Sequence, residues 1–330
     1  MEYVRLGKSG LRVSRLALGC MSYGAPDRGA HAWTLPEDQA RPFIRQALEA
    51  GINYFDTANV YSDGSSEEIL GRAVRDFARR DEVVLATKVS GPMNTSPVAG
   101  GLSRKEILAE LDQSLRRLDT DYLDLYITHR WDPDTEIEET MEALHDAVKA
   151  GKVRYLGASN VRGYQLAVAQ HAADLHGWTR YICVQNQYNL ITREDEREVI
   201  PFALREGIGV TPWSPLARGL LTRDWGTETD RATKDDNAQL INQEFRAGTE
   251  TADRAVAQIV ATIADERGVS RAQIALAWLL AQPAVTAPIV GATKPHHLDD
   301  AVAALELALT SDELDRLTAP YVPHPIPSYY

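Results

Sequence analysis

Short runs of β-branched and apolar residues alternate with longer amphipathic stretches from residue 15 to residue 305, the order expected of successive β-α units. The runs predict eight strands, over residues 15–19, 53–56, 83–88, 122–129, 153–158, 181–185, 209–213 and 286–290. Between them, stretches such as 36–50, 66–79, 104–118 and 137–150 carry apolar residues three and four apart, the spacing of one helix face. Gly51, Gly151 and Gly207 each follow such a stretch, where a left-handed C-terminal cap turns the chain into the next strand. Ser103, with Glu106 three residues on, has the pattern of a capping box.

Eight parallel strands, each followed by a helix, close into a (β/α)8 TIM barrel of about 250 residues. The chain has 330 residues, read here as one domain spanning 1–330. The excess predicts an N-terminal β-hairpin over residues 2–14, turning at Lys8-Ser9-Gly10 and closing the barrel floor, and extended loops at the C-terminal face, over 21–35 and the polar stretch 222–251. The tail 320–330, with Pro323, Pro325 and Pro327, reads as irregular cover for one edge. A doubly wound dinucleotide fold would place GxGxxG after its first strand, but that strand runs into Gly19-Cys20-Met21-Ser22-Tyr23-Gly24. A P-loop is also missing, since Gly7-Lys8-Ser9 lacks the upstream glycine.

Hydrophobic residues at 44% and charged residues at 25% describe an ordinary globular chain with a sizeable core. The net charge of -12 argues against general attraction to nucleic acid or anionic lipid, so a phosphorylated ligand needs basic groups concentrated locally. Cys20 and Cys183 stand far apart in apolar surroundings and read as two buried free thiols, with no disulfide framework and no metal motif. The charged start MEYVRLGKSG and the lack of a long apolar run suggest a cytoplasmic protein without a membrane span, which empties the Asn94-Thr95-Ser96 sequon of meaning.

In such a barrel the chemistry sits at the C-terminal ends of the strands, and three consecutive strands end in ionisable residues: Asp56, Lys88 and His129. Singly, each has a plain structural role as a loop cap, a snorkelling amine or a satisfied imidazole. Together they suggest more, because a buried lysine needs a carboxylate partner and neighbouring strands bring Asp56 to Lys88. Tyr61 follows Asp56 in the next loop. A phenol is a poor acid near neutrality until an adjacent ammonium stabilises its phenolate. Tyr61 thereby becomes a candidate general acid, Asp56 holds Lys88 charged, and His129 donates to a substrate oxygen.

Asp56, Tyr61, Lys88 and His129, within Gly51-Ile52-Asn53-Tyr54-Phe55-Asp56-Thr57-Ala58 and Tyr61-Ser62-Asp63-Gly64-Ser65-Ser66-Glu67, and the phrase Gly157-Ala158-Ser159-Asn160, resemble the catalytic tetrad and motifs of the aldo-keto reductase superfamily. The likeness covers nearly the whole chain and is nearest the YajO-type bacterial branch, beside the potassium-channel β-subunit and aryl-alcohol dehydrogenase groups. The resemblance implies hydride transfer between a nicotinamide and a carbonyl, with NADPH/NADP+ preferred over NADH and bound extended at the barrel mouth. It implies that Gly19 and Met21 lie beside the cofactor, that Ser159, Asn160 and Gln185 hold its carboxamide, and that Trp213 stacks on the ring. Ser214, Leu216 and Gly219 would then follow the pyrophosphate. The turn Gly291-Ala292-Thr293-Lys294 would meet the adenosine 2′-phosphate through Thr293 and Lys294, with Arg223 near. His297, Asp300 and Ala301 depart from related branches at the adenine end, and an acidic Asp300 works against a phosphate.

The substrate pocket is expected to draw on Tyr23, Trp33 and Trp131, walls suited to flat or hydrophobic aldehydes. Arg130 either meets an anionic substrate or pairs with Asp132 or Asp134. The leading reading is an NADPH-dependent carbonyl reductase with a small-molecule substrate. The alternatives are a sugar-phosphate or deoxysugar enzyme of the same fold, and a nucleotide-sensing or partner-binding protein with slow turnover.

Overall fold

The structure, a computed structural model, describes residues 1–29, 31–96, 99–227 and 248–325. Strands β1 (Tyr3–Arg5) and β2 (Arg12–Ser14) pair antiparallel, Tyr3 opposite Ser14. The other eight lie in one parallel sheet: β3 (Ala17–Gly19), β4 (Tyr54–Asp56), β5 (Val84–Val89), β6 (Leu123–Thr128), β7 (Val153–Ser159), β8 (Tyr181–Gln185), β9 (Gly209–Val210) and β10 (Ile289–Val290). They run in chain order from β3 to β9, with β10 beside β3. The sheet closes on itself where the Thr286 and Ile289 amides donate to the carbonyls of Val210 (2.8 Å) and Pro212 (2.9 Å). Eight parallel strands ringed by helices make this a (β/α)8 barrel, as the alternation predicts.

The last two barrel strands are shorter than expected, each regular over two residues. Pro212 and Pro288 lack the N–H that a ladder needs, so pairing continues only as single bonds such as Trp213 N–H to Asn186 O at 3.1 Å. Arg15 fastens the seam, its guanidinium donating to the carbonyls of Leu280, Val285 and Thr286.

The helices expected early in the chain form within a residue or two of their predicted ends: α1 (Glu37–Glu49), α2 (Ser65–Phe77), α3 (Arg104–Leu118) and α4 (Ile137–Lys149). They are followed by α5 (Gly163–His176), α6 (Val199–Glu206), α7 (Glu250–Arg267), α8 (Arg271–Leu280), α9 (Pro295–Ala303) and α10 (Ser311–Thr318). Gly51, Gly151 and Gly207 have φ of +83°, +75° and +72°, the left-handed conformation glycine adopts without penalty. The Ser103 hydroxyl accepts from the Glu106 amide, but the reciprocal half of the box does not form. The Glu106 carboxylate instead accepts from the Gly100 amide at 3.0 Å.

Side chains alternate across each strand, and this sorts the core into layers. Tyr54, Val84, Ala86, Leu125, Ile127 and Cys183 fill the barrel, while Phe55, Leu85, Val89 and Tyr126 meet the helices. Leu6 and Val13 of the hairpin join the inner set from below. Both cysteines are buried and unpaired, and burial pushes their thiols up. The loop after β3 folds back with Tyr23 bridged to Leu35. Within the polar stretch 222–251, residues 228–247 lie outside the described residues, as do 326–330 of the tail, with Pro327. The part of the tail that is described is irregular, and its His324 amide donates to Glu194 at 2.7 Å. Among the described residues no helix is long and apolar enough to cross a membrane.

Candidate active site

Two-residue alternation points Asp56, two after Tyr54, and Lys88, two after Ala86, into the barrel above its apolar filling. In register Asp56 stands opposite Ala86, so the long lysine stem reaches back across one strand. Lys88 Nζ lies 2.5 Å from Asp56 Oδ1 and donates to the Thr57 carbonyl at 2.7 Å and the Tyr61 hydroxyl at 3.2 Å. Lys88 is fully buried and Asp56 nearly so. Burial works to lower the Lys88 pKa, but Asp56 and then Tyr61 outweigh it, and the ammonium is held above its ordinary value.

The turn that carries Tyr61 is built from left-handed backbone, with φ of +45° at Ser62, +50° at Asp63 and +81° at Gly64. Buried polar contacts hold this uncommon run. The Ser65 hydroxyl donates to the Ser62 carbonyl and accepts the Ala25 amide, and a Cβ on Gly24 would sit 2.2 Å from Ser62 Oγ. The phenol ring meets the His129 ring edge-on, centroids 5.8 Å apart. His129 itself is pinned by its amide bond to Val89 O at 2.8 Å. Burial, then Lys88 and Arg130, hold its pKa well below the ordinary imidazole value, so at neutral pH the ring is uncharged and has one N–H to donate. A charged lysine, a phenol bonded to it and a neutral imidazole at one mouth form a device able to protonate an oxygen and bind it in place.

The next strand ends continue the ring. Gln185 donates its amide to Asp56 Oδ2 at 2.8 Å, a contact to the buried carboxylate rather than the carboxamide role expected of it. The Ser159 hydroxyl donates to the Gln185 carbonyl at 2.6 Å and accepts from Asn160. Asn160, left-handed at φ +52°, also donates to His129 O at 2.9 Å and accepts the Trp213 indole N–H at 3.2 Å. Ser159, Asn160, Gln185 and Trp213 are thus one connected set running from Asp56 to the segment after β9. Gly19 lies opposite Asp56, and Met21 follows it on a short 3-10 turn.

Beyond Trp213, Ser214, Ala217, Arg218 and Gly219 all have positive φ, so Leu216 and its neighbours form a tight irregular shelf. The Asn189 amide supports it by donating to Ser214 O. Arg223 packs so near Gly219 that a Cβ there would lie 2.7 Å from its guanidinium. Across the seam, Gly291 leads through Thr293 and Lys294 into α9, with Lys294 at its N-cap and the Thr293 amide donating to the His297 ring at 3.2 Å. The His297 pKa is lowered to about 4, by burial first and then by His296, Lys294 and Arg223, with Asp300 opposing. The structure therefore gathers Arg223, Lys294 and two histidines around one helix start. His296 was missed in the sequence, where the adjacent pair at 296–297 was the available signal.

The expected substrate walls are less unified. Tyr23 is a core residue, its ring stacked on Phe43 and its hydroxyl donating to Ala292 O, because β3 turns back inward through a 3-10 step. Trp33 packs against His31 on the loop. Trp131 and Arg130 border a small cavity with Leu102, Ile137 and Leu166, between the sheet and helices α4 and α5. Asp132 is occupied by the amides of Leu102 and Asp134 and by the Thr135 hydroxyl.

A parallel barrel with a buried Asp–Lys pair, a lysine-bonded phenol and a neutral imidazole at its C-terminal mouth defines the class: a barrel enzyme equipped for proton transfer to oxygen. The aldo/keto reductase family model matches residues 15–321, and the chain belongs to that family, oxidoreductases that act on carbonyls. It is 41% identical to versiconal hemiacetal acetate reductase of Aspergillus parasiticus, over 99% of this chain and 98% of that protein. Putative aryl-alcohol dehydrogenases of Schizosaccharomyces pombe and Saccharomyces cerevisiae are 42% and 38% identical, over 98% of this chain and 97% and 98% of theirs.

Proposed function

We propose that the whole chain acts as one barrel domain, a cytoplasmic NADPH-dependent reductase of small aldehydes or ketones in which Tyr61 is the general acid. The observation that carries the reading is the 3.2 Å bond from Lys88 Nζ to the Tyr61 hydroxyl, with Asp56 at 2.5 Å behind it. When bound, the nicotinamide supplies the hydride. Tyr61 gives its proton to the carbonyl oxygen, and the Lys88 ammonium stabilises the phenolate left behind. The neutral His129 ring donates a hydrogen bond that fixes that oxygen. The residues present fit such a cofactor. Ser159, Asn160, Gln185 and Trp213 offer amide, hydroxyl and indole groups beside the proton donor, and Arg223 and Lys294 at the start of α9 offer positive charge for a phosphate.

Among branches of the family, similarity to fungal aryl-alcohol dehydrogenases supports an aromatic aldehyde or alcohol as the substrate class more than it supports the YajO-type branch. The test follows NADPH and NADH consumption with aromatic aldehydes, dicarbonyls and sugar phosphates. Tyr61→Phe is expected to keep NADPH affinity and to lose about 100-fold or more in kcat, the scale of a missing general acid. Undiminished turnover in that variant would sink the mechanism, and reduction confined to sugar phosphates would move the substrate class.

A further inference from the structure

Behind the strand that carries Lys88 lies a second buried set of ionisable groups, which the proton donor does not touch. Thr87, on the opposite face of β5, donates its hydroxyl to Glu67 Oε1 at 2.5 Å. Glu67, the third residue of α2, is fully buried, and its other oxygen accepts from Arg117 Nε at 2.5 Å. The same guanidinium donates to Ser114 Oγ and stands 3.6 Å from Glu110 Oε2. That Glu110 oxygen accepts the Asn59 side-chain amide at 3.0 Å. Asn59 precedes Tyr61 by two residues, and its backbone N–H meets the Lys88 carbonyl at 3.4 Å. On the far side of Tyr61, a Cβ on Gly64 would come within 2.6 Å of Arg117 Cδ.

One arginine on α3 thus reaches the proton donor's machinery by three routes. It reaches the residue before Lys88 through Glu67, the segment before Tyr61 through Glu110, and the turn after Tyr61 by direct packing. We propose that Arg117 is a positioning residue for proton donation, setting the separation between the Lys88 strand and the Tyr61 turn. The inference rests on the reductase reading above.

Two carboxylates share this one guanidinium. Without it they face each other in a nearly dry site, where breaking a buried ion pair leaves charge uncompensated. Thr87 and Asn59 then lose fixed acceptors together, as members of a connected network do. The Lys88–Tyr61 bond is already at the long end of the normal range, so a displacement of a few tenths of an ångström weakens it, and misplacement of about 1 Å is known to cost on the order of 100-fold in rate. Arg117 lies behind the sheet, away from the strand ends that face the cofactor. Its loss is therefore expected in kcat rather than in binding.

The experiment compares wild type, Tyr61→Phe, Arg117→Ala, Arg117→Lys and Thr87→Val in steady-state reduction of an aromatic aldehyde, with NADPH binding measured separately by fluorescence. Arg117→Ala is expected to lower kcat about tenfold or more, a rise of about 1.4 kcal/mol in the activation barrier, while NADPH Kd and aldehyde KM stay within about twofold. Millimolar guanidinium should restore much of that loss, and Arg117→Lys, which keeps the charge but not the planar fork, should fall between. Thr87→Val removes one hydroxyl at nearly constant volume, so it carries the test even if Arg117→Ala fails to fold. It should lower kcat without guanidinium rescue. Unchanged kcat in Thr87→Val, or an Arg117→Ala loss that guanidinium does not touch and that falls equally on NADPH binding, overturns the proposal. An inactive wild type overturns the reductase reading and this inference together, whereas an active wild type with indifferent variants overturns the inference alone.

Discussion

Lys88 shows how one side chain can be both the most costly and the most useful group in a fold. A lysine with no exposure persists there because Asp56, Thr57 and Tyr61 accept its three N–H hydrogen bonds. Replacing it with methionine keeps the volume but leaves Asp56 buried beside Gln185 alone. Breaking a buried pair in this way costs about 3–5 kcal/mol. Urea denaturation of Lys88→Met should show a loss of that size along with loss of turnover, and an unchanged midpoint would mean that the Asp56–Lys88 pair does not hold the fold together. Asp195 makes the opposite case. Burial, with a smaller push from Glu194 and against the Asn186 amide, raises its pKa to about 7. Unfolded, the same group ionises near 4, so between about pH 4 and 7 the folded state holds the extra proton and stability falls as pH rises. Asp195→Asn should flatten that part of the stability curve and unfold at a higher temperature than wild type at pH 8. A parallel curve in the variant would refute the assignment.

At the scale of elements, local sequence controls whether a segment forms, and tertiary contacts control where it stops. The left-handed glycines ending α1, α4 and α6 were visible as punctuation because the requirement is local. The broken second half of the box at Ser103 was not visible, since the competing Gly100 amide arrives from the loop before the helix. The hairpin gives an element-scale prediction. Gly7 has φ +59° and a Cβ there would lie 2.4 Å from the Gly207 carbonyl, while the Lys8 amide bonds that same carbonyl at 2.7 Å. Gly7→Ala therefore combines a left-handed penalty of about 1–2 kcal/mol with a clash against backbone that has no rotamer to escape into. A destabilisation of at least about 2 kcal/mol is expected in thermal or denaturant unfolding, and an alanine tolerated without change would show that the hairpin does not hold the barrel floor.

For the whole molecule, barrel closure turns a one-dimensional order of strands into a ring of chemistry. Asp56, Lys88, His129, Ser159, Gln185 and Trp213 are spread over more than 150 residues of chain, yet each lies at or just past the end of the strand next to its neighbour's. Their positions were legible because a parallel barrel maps chain order directly onto space, and because an ionisable residue at the end of an apolar strand stands out by its desolvation cost. The seam between β9 and β10 also brings the segment after β9 to the start of α9, gathering Arg223, Lys294, His296 and His297. That cluster was only half readable, since Arg223 belongs to a loop whose path no local periodicity dictates.

By itself the sequence determined the class of fold, the number and order of strands, the glycine caps that end helices and the identity of the ionisable strand ends. All of these follow from short-range rules of period, capping and burial. Only the tertiary structure decided that Gln185 braces Asp56, that Tyr23 lies in the core, that Pro212 and Pro288 shorten the closing strands, and that Arg117 joins two buried glutamates behind the Lys88 strand. Those outcomes depend on which atoms meet across separations of tens of residues and more. Hydrogen bonding and charge act over a few ångströms, so only the closed barrel brings such partners into range.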